Sequence, residues 1–249
     1  MNPTLVLVHG AGANGAFWDE VRPWLSDVEV LAPSLPGRDG DARAAPTSAR
    51  EAAEALLATL EAGGVQHALL VGHSYGGAVV LEAALSAHPC VAGLVLLATG
   101  ARLRVHPLIL ETMALAVATG RAAPLARGLF RPETDAGIFE RTAMRMATVP
   151  PAATLADWQA ANAFDRLADL GRIAVPTCVA TGTQDALTPP KYADFLARGI
   201  SGAKRVTLEG GGHFFPVERA EQTAALLRET IDRASGQARH FSKVPTSLP

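Results

Sequence analysis

Residues 68–78 read Ala-Leu-Leu-Val-Gly-His-Ser-Tyr-Gly-Gly-Ala, an apolar run that ends in Gly72-His73-Ser74-Tyr75-Gly76 and continues into a helix-forming stretch from Gly77. A serine on so sharp a strand-to-helix turn carries a strained backbone, tolerated because Gly72 and Gly76 lack the Cβ atoms that would clash with neighbouring elements. The strain presents the Ser74 hydroxyl, and the following helix aims its first N–H groups and positive dipole end at the same spot. Negative charge developing on a substrate oxygen there would be stabilised. Ser74 is therefore the candidate nucleophile. The five-letter pattern alone arises easily by chance in a Gly- and Ala-rich chain, so its weight comes from its surroundings.

Outward from this turn, short β-branched or Leu-rich runs alternate with longer helix-like stretches: Leu5 to His9, Val28 to Ala32, Leu69 to Gly72, Leu94 to Ala98, Thr177 to Gly182 and Arg205 to Leu208. The pattern predicts an α/β fold with a mostly parallel six-stranded sheet and helices on both faces. Helices are expected near Ala16 to Leu25, Ala49 to Ala62, Tyr75 to Ala87, Pro189 to Arg198 and Val217 to Ala234. Ser48 with Glu51 suggests a capping box, and Thr188-Pro189 an N-cap followed by an N1 proline. Residues 101–172 break the alternation and predict a helical cap inserted between two parts of one core, 1–100 and 173–234. Leu108, Met113, Leu115, Leu129, Phe130, Phe139, Met144 and Trp158 are its candidate pocket residues, although packing the cap onto the core explains most apolar helix positions equally well. Residues 235–249 lack periodicity and are expected to form a poorly ordered tail.

The chain has 249 residues, 49% of them hydrophobic, enough for a large single core. Net charge is −2, with no Lys or Arg run that would mark a nucleic-acid or acidic-membrane surface. No stretch approaches a membrane span, and the residues before Thr4 show no basic n-region or long apolar h-region, so a secretory leader is not expected. The two cysteines, Cys90 and Cys178, make a disulfide framework improbable. These features predict a cytoplasmic protein with a small-molecule partner, and leave its oligomeric state open.

A serine nucleophile needs a base, and the base an orienting acid. The run Thr181-Gly182-Thr183-Gln184-Asp185 ends a strand and places Asp185 at the sheet edge where α/β proteins build their sites. Farther on, Glu209-Gly210-Gly211-Gly212-His213-Phe214 puts His213 in the loop before the last helix, the position of the general base in the order Ser, Asp, His. His67, His88, His106 and His240 have no motif around them. The first strand leads into His9-Gly10-Ala11-Gly12, where the N–H of Ala11, with that of Tyr75, forms a candidate oxyanion hole. His9, Gly10 and Phe214 are candidate substrate contacts, with the His9 side chain fixing the loop rather than titrating. The glycines match neither dinucleotide nor Walker patterns, and no metal-ligand spacing occurs, so no cofactor is expected.

With Ser74, Asp185, His213 and the His9-Gly10 turn in this order, residues 3–234 resemble the α/β-hydrolase superfamily. The resemblance implies a twisted sheet of up to eight strands, a helical cap and esterase-like acyl-enzyme chemistry. The strand carrying His9 is the first in this pattern, so the family's usual leading antiparallel hairpin is expected to be missing, which leaves a six-stranded parallel core. The segments His9 to Trp18 and Ala32 to Gly37 are similar to the branch holding small methyl esterases and hydroxynitrile lyases. Phe214 and Phe215 stand where those lyases carry a lysine after the catalytic histidine, which disfavours cyanohydrin cleavage. Ser74 argues against dehalogenases and epoxide hydrolases, which use Asp there. Ser34 replaces an Asp common in the family at a loop-supporting position. Residues 93–104 contain no Asp or Glu, so the alternative position of the triad acid is unfilled and Asp185 is left.

The expected function is a serine hydrolase (carboxylesterase type) acting on a small or medium ester, thioester or lactone. The same triad also serves carbon–carbon bond hydrolases and cofactor-free lyases or cyclases, and a hydrolase fold can persist as a non-catalytic ligand-binding protein. Arg102, Arg104, Arg121, Arg127, Arg131, Arg141 and Arg145 are candidates for binding a substrate carboxylate.

Overall fold

Residues 3–234 are described by a computed structural model. The six apolar runs form one parallel sheet in the order β2-β1-β3-β4-β5-β6. The strands are β1 (Thr4–Val8), β2 (Val30–Leu31), β3 (Ala68–His73), β4 (Val91–Leu97), β5 (Thr177–Gly182) and β6 (Lys204–Leu208). The period-two alternation of strand side chains divides the core in two. Val6, Val8, Leu70, Leu94, Leu96 and Val179 face α1 (Ala49–Ala62), α2 (Tyr75–Leu85) and, later in the chain, α6 (Pro190–Gly199). Leu5, Leu7, Leu69, Val71, Val95 and Leu97 face Phe17, Trp18 and the last helix, α8 (Ala220–Ala234). The four inner strands β1, β3, β4 and β5 are buried on both faces, which explains their largely apolar sequences, whereas the edge strands β2 and β6 are partly exposed and β6 carries Lys204 and Arg205.

Between β4 and β5 the chain forms α3 (Pro107–Thr119), α4 (Ala136–Ala147) and α5 (Pro151–Ala163), joined by loops and short 3-10 turns. The strand order reverses between β1 and β3. The crevice at their carboxyl ends is where doubly wound sheets hold ligands, and it receives both the His9–Asn14 loop and Ser74.

Several expected boundaries move for local reasons. The helix expected over Ala16 to Leu25 is two 3-10 segments, Gly15–Glu20 and Arg22–Leu25; Pro23 has no N–H to continue an α-helical ladder. β2 shrinks from Val28–Ala32 to two residues, because the Val28 N–H turns back to Leu25 O and Pro33 follows. The last helix breaks at Arg219 (φ −127°, ψ 49°) into α7 (Phe215–Glu218) and α8. The Ser48 hydroxyl caps α1 through the Glu51 N–H, while the Glu51 carboxylate reaches back to Thr47 rather than Ser48. Thr188 is not an N-cap: α6 starts at Pro190, with Pro189 in the cap position. The tail expected over 235–249 lies outside the described residues.

Candidate active site

Ser74 occupies φ 54°, ψ −119°, a conformation that non-glycine residues rarely adopt. The surroundings enforce it. Its N–H donates to Leu97 O at 2.9 Å, and its own carbonyl accepts from Thr99 Oγ1 at 2.7 Å. A Cβ on Gly76 would collide with the carbonyl oxygens of Val8 and His9, so α2 reaches β1 only through glycine.

His213 Nε2 lies 3.0 Å from Ser74 Oγ, and its Nδ1 lies 3.0 and 3.1 Å from the two Asp185 oxygens. An ionised carboxylate only accepts, so the ring proton sits on Nδ1 and Nε2 is left to accept from the serine. Asp185 also accepts from Leu187 N–H (2.9 Å), Thr188 N–H (2.8 Å) and the Thr188 hydroxyl (2.7 Å). Burial opposes the charged carboxylate, yet His213 and the two Thr188 donors outweigh it and hold the Asp185 pKa at about 2.

The His213 loop is itself anchored. The His213 N–H donates to Leu129 O at 2.9 Å and its carbonyl accepts from His73 Nε2 at 3.0 Å. The Gly212 N–H bonds Glu218, whose carboxylate also takes the Arg131 N–H and the Thr134 hydroxyl. His73 stacks on Phe17 with ring centroids 4.9 Å apart. Burial, then the field of His213, pushes its pKa down to about 3, so the ring is neutral.

One expected substrate contact is corrected. The His9 side chain is fully buried; its Nδ1–H donates to Gly10 O at 2.9 Å and its Nε2 accepts from the Leu35 N–H at 3.1 Å. With both nitrogens taken by the protein, His9 braces the loop and does not line the cavity. Gly10, Ala11 and Phe214 do line it. The N–H groups of Ala11 and of Tyr75, the first residue of α2, have no acceptor among the described residues.

Above Ser74 lies a cavity of about 280 Å³ between the sheet edge and α3, α4 and α5. Of the cap residues expected there, Leu108, Met113, Leu129 and Trp158 line it. Leu115 and Met144 point to solvent, and Phe130 stacks on Phe214 instead. Leu125, Met146, Val149 and Leu187 are lining residues that the sequence pattern did not single out. No Asp, Glu, Lys or Arg lines the cavity. The cap arginines lie elsewhere: Arg141 and Arg145 bind Glu20, Arg102 and Arg104 approach Asp165, and Arg127 covers Phe139. Among the described residues no side-chain cluster could hold a metal ion, and no helix is long and apolar enough to cross a membrane.

Three supporting residues escaped sequence reading. Thr99 and Glu218 act across long stretches of chain. Asp157 left a trace: it interrupts the buried stripe Ala153, Ala160, Ala161 of α5, where a charge needs a partner.

A six-stranded doubly wound sheet with a strained serine at the β3–α2 turn defines the α/β-hydrolase class. The chain belongs to the alpha/beta hydrolase family, whose family model matches residues 5–226. It is 31% identical over 242 residues to a pimeloyl-(acyl-carrier protein) methyl ester esterase of Neisseria meningitidis serogroup C, covering 91% of this chain and 92% of that protein. Its fold is similar to that of a thermophilic esterase from Thermogutta terrifontis, with TM-score 0.82, 24% identity, and coverage of 94% and 91% of the two chains. The enol-lactonase from Burkholderia xenovorans LB400 is also similar, with TM-score 0.82, 21% identity, and coverage of 93% and 92%.

Proposed function

We propose that this protein is a serine hydrolase that cleaves a small or medium uncharged ester, thioester or lactone through an acyl-enzyme on Ser74. The observation that carries this reading is the continuous hydrogen-bonded chain from Ser74 Oγ through His213 to Asp185. His213 Nε2 takes the hydroxyl proton as Ser74 Oγ attacks the carbonyl carbon. Asp185 stabilises the resulting imidazolium and fixes its tautomer. The carbonyl oxygen, now an anion, is received by the free N–H groups of Ala11 and Tyr75. The imidazolium returns its proton to the leaving alcohol, and water, activated by the same ring, releases the acid.

The apolar lining supports an uncharged acyl group, since a carboxylate placed there would lose its hydration without gaining a cation. The cavity has roughly twice the ~150 Å³ that accommodates a benzene ring, so about a dozen heavy atoms fit. The esterase relative supports ester chemistry over carbon–carbon cleavage.

Hydrolysis of p-nitrophenyl esters from acetate to decanoate tests the proposal, comparing the unmodified protein with Ser74→Ala and His213→Ala. Turnover by the unmodified protein, lost by at least about a thousandfold in both variants, together with fluorophosphonate labelling that needs Ser74, is the expected result. No turnover of any ester by the unmodified protein overturns the reading in favour of another reaction of the triad.

A further inference from the structure

The ester-cleaving chemistry leaves one fully buried ion pair unused. Arg38, in the loop after β2, and Asp157, on α5, have side chains 0% and 1% exposed. They meet as a fork: Nη1 donates to Oδ2 at 2.9 Å and Nη2 to Oδ1 at 3.0 Å. Such pairs are weak devices for stability, because apolar residues of similar volume commonly serve as well. A local geometric role explains this one better.

Apart from a 3.5 Å contact of Arg38 Nη2 with Pro36 O, the pair's other hydrogen bonds converge on one turn. Asp157 Oδ2 accepts from the Gly12 N–H at 2.9 Å, and Arg38 Nη1 donates to Ala13 O at 2.8 Å. The Ala13 N–H returns to Gly10 O at 3.3 Å, closing the turn Gly10–Ala13, with Gly12 at φ +68°. A Cβ on Gly12 would lie 2.9 Å from Thr154 Cγ2, so α5 rests directly on the turn. Of the three amides after Gly10, Gly12 bonds Asp157 and Ala13 bonds Gly10, which leaves Ala11 alone to serve a ligand.

We infer that Asp157, braced by Arg38, is a positioning residue: it clamps the Gly10–Ala13 turn from the cap so that the Ala11 N–H is presented to the developing oxyanion. The oxyanion hole is then complete only when α5 is seated on the core. This inference rests on the serine hydrolase reading for its catalytic consequence, and on the hydrogen bonds alone for its structural one.

Two variants test it. Asp157→Asn removes the charge that holds the turn. The double variant Arg38→Met with Asp157→Leu replaces the pair by apolar volume and protects against loss of fold. In either variant that retains its thermal transition, kcat for p-nitrophenyl hexanoate should fall about 10- to 100-fold, since deletion of an oxyanion donor costs about 10²–10³, while KM stays within about threefold. Inhibition by a trifluoromethyl ketone, which presents an oxyanion once Ser74 adds, should weaken by the same factor, and by the simple methyl ketone should not. Amides of residues 10–14 should exchange faster with deuterium than in the unmodified protein. A folded variant with unchanged kcat and unchanged trifluoromethyl ketone affinity overturns the inference. Should the unmodified protein hydrolyse no ester, the serine hydrolase reading fails separately, and unchanged exchange at residues 10–14 overturns the clamp itself.

Discussion

His9 and His73 show how a side chain can serve the site without joining the reaction. Each is buried and neutral, with a pKa lowered from 6.5 to about 3, chiefly by burial. One ties the loop after β1 to Leu35; the other holds the carbonyl of His213. Unfolding releases both rings to protonate at their ordinary pKa, so the unfolded chain binds more protons between about pH 3 and 6.5. Stability is therefore full above that window and lost as pH falls through it, by roughly 2 kcal/mol per histidine at pH 5. Asp185, lowered to about 2, adds stability that is lost only below about pH 4 and does not obscure the effect. Urea titrations at pH 7, 6 and 5 should show a steadily falling midpoint, and a constant midpoint would contradict the buried, neutral state of these rings. The bracing role of His9 was expected from the sequence; that of His73 was not, because a histidine next to Ser74 looks the same in the sequence whether it titrates or braces.

The elbow between β3 and α2 was the most legible element, because its requirements are local: an apolar strand, a glycine on either side of the serine, and a helix. Its glycines nevertheless answer to distant backbone. A methyl on Gly76 meets the carbonyls of Val8 and His9, so Gly76→Ala should push α2 away from β1 and cost at least about 3 kcal/mol. Gly128→Ala is the control, since a Cβ there meets nothing within 4 Å. Thermal unfolding of the two variants should separate them clearly; equal transitions would mean that the close approach of α2 to β1 is unimportant. Element ends were less legible. Pro23 divides a helical pattern into 3-10 turns, and Thr188 spends its hydroxyl on Asp185 because the acid, 3% exposed, lies within reach and needs a donor.

Across the whole molecule, the cap and the sheet edge form one cavity, and the carboxylates of Asp157 and Glu218 fix the register between them from opposite sides. Ala116, on α3, is a small residue in that lining. Ala116→Trp should therefore shift the preferred p-nitrophenyl ester toward shorter acyl chains while sparing acetate, each excluded methylene being worth about 1–3 kcal/mol. An unchanged chain-length profile would place the acyl group elsewhere. The amino-acid sequence by itself determined the parallel sheet, the order of Ser74, Asp185 and His213 along it, and the helical insertion. Those features follow from periodicity and from residues adjacent in the chain. The tertiary structure alone decided that the cavity carries no charge, that the cap arginines turn away from it, that His9 is sealed, and that Asp157 reaches Gly12. These depend on tertiary contacts, from His9 with Leu35, 26 positions on, to Asp157 with Gly12, 145 positions away, where the chain is folded by packing and by the need of each buried charge for a partner, and no local pattern records which partner it finds.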